Sequence, residues 1–78
     1  MTQEAFERAK RLRDVISNAR TALESLSRIK ATDEFRLYSA ERNNQFKIPK
    51  EANPAIIDLI HEGWKKVLED AQKEFDEL

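Results

Sequence analysis

Residues 36 to 49 read RLYSAERNNQFKIP, and the fold turns on how this stretch is read, because the segments on either side are strongly helical. Phe35 and Leu37 alternate with Arg36 and Tyr38, and Phe46 and Ile48 flank Lys47. Period two over such short runs is the pattern of two strands with one apolar face each. Asn43 and Asn44 lie between them, and Asn tolerates the left-handed angles that tight turns require. A β-hairpin is one reading of residues 34–49. An irregular, extended connection is the other, since an isolated two-stranded hairpin is weak unless it packs or pairs. Two registers remain open. Phe35 opposite Ile48 and Leu37 opposite Phe46 aligns the apolar residues but leaves a longer loop, whereas a turn centred on the two Asn residues shifts that pairing.

Upstream, Ala5, Ala9, Leu12, Ile16, Ala19, Leu23 and Leu26 follow steps of four and three without a break, a helical seam in heptad register. Val15, Ala22 and Ile29 widen it into the broad stripe of a bundle helix. Thr2 is the expected N-cap, and the absence of Gly and Pro before Asp33 predicts a helix over residues 2–32, about 43 Å long. Lys30 interrupts the seam.

Downstream, Asn53-Pro54 predicts a helix over residues 53–78, with Asn53 as cap and Pro54 in the first turn. Pro49 offers a competing start. Ile57, Ile60, Trp64, Val67 and Ala71 form one row, and Trp64, Leu68, Ala71, Phe75 and Leu78 a second beside it. Two rows make a face wider than one partner helix covers.

Charge sets the expected orientation. Overall the chain is nearly neutral, with 14 Lys and Arg against 15 Asp and Glu. Its first helix is basic and its last turns are acidic, each opposing the dipole of its own helix. An antiparallel hairpin places Arg8, Arg11 and Arg13 beside Glu69, Glu74 and Asp76 and removes the conflict. The expected fold is therefore mainly α: an antiparallel two-helix hairpin, in one domain over residues 1–78, with a short β-hairpin or extended segment between the helices.

Seventy-eight residues bury a marginal core. Small domains supplement such a core with disulfides, metal or association. There is no cysteine and only one histidine, so thiolate and imidazole metal sites are excluded and association is expected, giving a helical homo-oligomer. Gly63 strengthens that expectation, because glycine inside a helix costs about 1 kcal/mol relative to alanine. It marks either a close approach by another helix or ligand, or relief of crowding beside Trp64. Ile60, Gly63, Trp64 and Val67 are the candidate oligomer interface.

Catalytic chemistry finds no footing. His61-Glu62 begins a zinc-protease motif, but Lys65 stands where the second histidine belongs. No glycine-rich phosphate loop exists, and Ser17, Ser25, Ser27 and Ser39 lack an acid–histidine pairing. A non-enzymatic protein without cofactor or metal is expected. Arg36, Tyr38, Arg42, Asn43, Asn44 and Lys47 are the candidate ligand-binding residues, since guanidinium, amide and aromatic groups together suit a phosphate-bearing ligand or a nucleotide base. Glu34, Glu41 and Glu51 cancel much of their charge. Near-neutrality argues against nucleic acid, and no apolar run approaches the roughly 20 residues of a membrane span. The charged MTQEAFERAK is not a secretory signal, FDEL reads as a frayed helix end, and a cytoplasmic location is expected.

The pattern of a charged helix, a strand-like middle ending in IP, and an amphipathic helix closing on LEDAQKEFDEL resembles small helical accessory proteins encoded by bacteriophages and prophages. The resemblance implies an anti-defence role in the host cytoplasm. It would be exercised by sequestering a cyclic or modified nucleotide signal, or by presenting an amphipathic helix face to a host defence protein as inhibitor or adaptor.

Overall fold

The computed structural model describes residues 2–78. Two long helices, α1 (Gln3–Ser27) and α2 (Asn53–Asp76), pack side by side and antiparallel, joined by a β-hairpin of β1 (Arg36–Ser39) and β2 (Asn44–Lys47) and a 3-10 turn at Lys50–Ala52. The mainly α hairpin architecture expected from the two periodicities is the one observed.

Thr2 caps α1 as its position predicts, its Oγ1 accepting from the Ala5 amide at 3.1 Å. The seam residues Ala9, Ile16, Ala19 and Leu26 are buried, and Ala5, Leu12 and Leu23 between them are half-buried. On α2 the second row, Trp64, Leu68, Ala71 and Phe75, meets that seam, leaving Leu78 exposed. Four of the buried side chains are no larger than alanine or are polar, namely Ala9, Ala19, Ala71 and Asn53. Helices therefore approach closely over a thin core. At the open end of the hairpin, Arg8 Nη2 donates to Glu74 Oε1, and the Arg13 guanidinium lies 6.0 Å from the Phe75 ring centroid. Arg11 makes no ion pair among the described residues, and Asp76 instead accepts from Gln72 at 3.0 Å. Of the expected charge matches, the contact between Arg8 and Glu74 forms.

α1 ends at Ser27, five residues before the boundary that composition predicts. Ser27 Oγ donates to the Glu24 carbonyl at 2.6 Å, a local competitor of the helical ladder. Asp33 then captures the Lys30 amide at 2.9 Å while its own amide bonds the Lys30 carbonyl, closing a turn that no Gly or Pro announces. α2 likewise ends at Asp76, with Glu77 as cap.

Asn53 is the largest departure. Expected as an N-cap with extended backbone, it is already helical, at φ −56° and ψ −46°, although it precedes a proline. Its side chain is fully buried, and Nδ2 donates to the carbonyls of Ala31 and Asp33 at 2.8 and 2.9 Å. Asn53 thus ties the start of α2 to the loop after α1. Helical winding begins in the 3-10 turn behind Pro49, the competing start.

The hairpin takes the apolar register. Leu37 pairs with Phe46, Arg36 with Lys47, Tyr38 with Gln45 and Ser39 with Asn44, and the Ile48 amide donates to the Phe35 carbonyl at 2.8 Å. Four residues close the loop, and Asn43 adopts the left-handed conformation at φ 47°.

Candidate functional site

Pleating divides the hairpin into two faces. Phe35, Leu37, Phe46 and Ile48 share one, and Arg36, Tyr38, Gln45 and Lys47 share the other. Phe35 and Ile48 are half-buried at its base, but Leu37 and Phe46 remain 55% and 56% exposed, so the apolar face covers the helices only at its root. A groove of about 320 Å³ runs there, lined by Leu26 and Ile29 of α1 and its exit, by Phe35, Arg36, Leu37 and Ile48, and by Ile56, Ile57 and Ile60 of α2.

The polar face holds three of the six candidate ligand residues, Arg36, Tyr38 and Lys47, and already has an occupant. Glu34 accepts from Arg36 Nε at 3.0 Å and lies 3.4 Å from Lys47 Nζ. The Arg36 hydrogen bond and charge, followed by those of Lys47, hold the Glu34 carboxyl below its ordinary value. Both cations are thus engaged by Glu34, one of the three carboxylates expected to offset their charge. Tyr38 Oη donates to Asn43 Oδ1 at 3.4 Å, a bond within the hairpin. Arg42 stands in the loop and makes no ion pair among the described residues. Arg42, Asn43 and Asn44 are exposed and adjacent at the tip of the hairpin.

On α2, all four candidate interface residues meet. Ile60, Gly63, Trp64 and Val67 together line a shallow apolar hollow of about 310 Å³. Ile60 and Val67 are 43% and 39% exposed, because the second row faces α1 and these two residues of the first lie to one side of it. Around Gly63, apart from its two chain neighbours and the backbone of its own helix turns, there is open space: a Cβ placed there meets no other atom within 4 Å. Ile60 also lines the groove at the hairpin root, so the two apolar surfaces are continuous.

One further feature escapes sequence reasoning. A larger open groove of about 730 Å³ lies at the other end, between Phe6, Lys10 and Arg13 of α1 and Phe75, Asp76 and Leu78. Phe6, off the seam, is 59% exposed there. His61 lies at a rim, as its place in the sequence suggests, its Nδ1 3.8 Å from Glu62 Oε1, and it lines an open hollow with Ser27 and Asp58. Among the described residues, no three metal-ligating side chains converge and no helix is long and apolar enough to cross a membrane. No family model matches the chain, and neither a curated protein nor a solved structure shows significant similarity to it.

Proposed function

We propose that this chain is a non-enzymatic binding protein that works as a homo-oligomer and offers an apolar surface to a protein partner. The observation that carries this reading is the surface left over after folding. A compact monomer of 9.1 kDa exposes about 4,900 Å², whereas this chain exposes 6513 Å². Its radius of gyration is 16.1 Å, against about 11.5 Å for a compact domain of this length. An excess of about 1,600 Å² per chain exceeds the roughly 800 Å² that each partner of a standard interface buries. It falls in the range of obligate assemblies. Self-association covers part of it, and the hairpin's exposed Leu37 and Phe46 supply an apolar patch for a partner of a different kind.

A second reading, sequestration of a phosphate-bearing ligand such as a cyclic or modified nucleotide, is supported by one arrangement. Glu34 lies between Arg36 and Lys47 where a ligand phosphate would lie, so an anion must displace it. Arg42, Asn43 and Asn44 then add donors from the tip. In a single chain this is a surface, and ligand enclosure requires a second copy.

Native mass spectrometry with and without a nucleotide panel, together with capture from host lysate, separates the readings. An oligomer that retains a defined protein and no nucleotide supports the first. An oligomer that carries a nucleotide, and loses it in the Arg42→Ala variant, transfers support to the second. A strict monomer that retains neither contradicts both.

A further inference from the structure

We infer that two copies of the chain pack through α2 in antiparallel orientation, with Gly63 of each copy receiving Ile60 of the other. The inference rests on the self-association proposed above and names the surface that carries it.

Ile56, Ile60, Gly63 and Val67 follow one another in steps of four, three and four, and so occupy one stripe of α2. The row that packs on α1 lies about a quarter-turn away. The stripe is therefore left unpartnered by the rest of the chain, and at its centre is the hollow of about 310 Å³.

Reading the stripe backward shows its self-complementarity. Laid antiparallel with the axis of symmetry between His61 and Glu62, Ile56 meets Val67 of the second copy and Ile60 meets Gly63, each contact occurring twice. All four layers are then apolar, and the large side chain of Ile60 falls where the opposing helix has none. An isologous pair needs this kind of match, because one patch must serve as both surfaces. Gly63 acquires a reason in the pair. Glycine weakens a helix relative to alanine, and beyond its two chain neighbours and the backbone of its own helix turns no atom of the chain comes within 4 Å of where a Cβ would stand. A second helix crossing at that point uses the space.

Charge favours the same orientation. Antiparallel pairing sets Asp70 of the second copy level with Asn53 and carries its Glu74 and Asp76 past the start of α2, which keeps the two acidic ends apart. Parallel pairing would set the acidic last turns side by side.

The chain has no cysteine, so introduced thiols report on this register alone. The double variant Ile56→Cys/Val67→Cys should form a covalent dimer under mild oxidation. Within one helix those positions are about 16 Å apart and cannot join, since a disulfide spans Cα atoms separated by roughly 7 Å at most. Each single variant should stay uncrosslinked, because the antiparallel register separates like positions by the same length. Cross-linking of the single variants would overturn the orientation. An oligomeric wild type with no cross-link in the double variant would overturn the surface and leave self-association standing, whereas a strictly monomeric wild type would remove both. Gly63→Leu supplies a second readout: helicity should be retained while the dimer dissociation constant rises tenfold or more. Unchanged affinity would contradict the Ile60 contact.

Discussion

Asn53 carries more of the fold than any other single polar side chain. As an N-cap it would be interchangeable with Asp, because both accept from an exposed helix amide. In the observed role it must donate, since Nδ2 holds two carbonyls and its Oδ1 is buried without a partner among the described residues. Asn53→Asp should therefore destabilise at least as much as Asn53→Ala. Each is expected to cost about 1–3 kcal/mol, read as a fall in melting temperature. Equal stability of Asn53→Asp and wild type would restore the capping role. The sequence could not show this distinction: Asn before Pro states a local preference, and the deciding carbonyls come from residues 20 and 22 positions upstream. Glu34 makes a second residue-scale prediction. Its pKa is lowered in the folded state by Arg36 and then Lys47, so its contribution to hairpin order is present above its ordinary pKa and is lost as pH falls through the lowered value. Carbon-detected NMR titration of Glu34 should give a midpoint below the ordinary Glu value, and Arg36→Ala should move it upward. An unmoved midpoint would show that the bridge does not persist in solution.

At the scale of elements, the hairpin and the helix ends differ in how much local sequence decides. The register was among the readings the sequence left open, and the apolar pairing Leu37–Phe46 won over a turn centred on both Asn residues. Aligned apolar pairs outweighed the shorter loop. Only Asn43 takes the left-handed angle, so Asn43→Gly should leave the hairpin intact while Asn43→Val should weaken it by about 1–2 kcal/mol. Amide exchange across the bonded positions of β1 and β2 measures the difference; equal protection in both variants would argue against the turn. The heptad seam of α1 and the pair of apolar rows on α2 are legible because period alone assigns a helical face. The end of α1 at Ser27 was not legible. Its signal is a serine bonding back to its own helix and an aspartate closing the next turn, residues common inside helices as well.

Across the whole molecule, the thin core and the surplus surface are two sides of one arrangement. Alanines at the α1–α2 contact bring the helices close, which leaves Ile60, Val67, Leu59 and the hairpin's Leu37 and Phe46 outside. The sequence announced this in outline, through an apolar face too wide for one helix and a chain with no disulfide to supplement its core. It could not say which row would be left exposed, because both rows on α2 share Trp64 and Ala71 and only packing chooses between them. Glu34 is among the carboxylates that the sequence sets against this charge, and the hairpin's register adds Lys47 to its contact with Arg36. The central claim is that the chain completes its fold by association. Analytical ultracentrifugation over a hundredfold concentration range tests it most directly. The account predicts a mass above that of one chain at micromolar concentration, dissociation on dilution, and a melting temperature that rises with concentration. A single species of 9.1 kDa throughout, melting at one temperature, would contradict it.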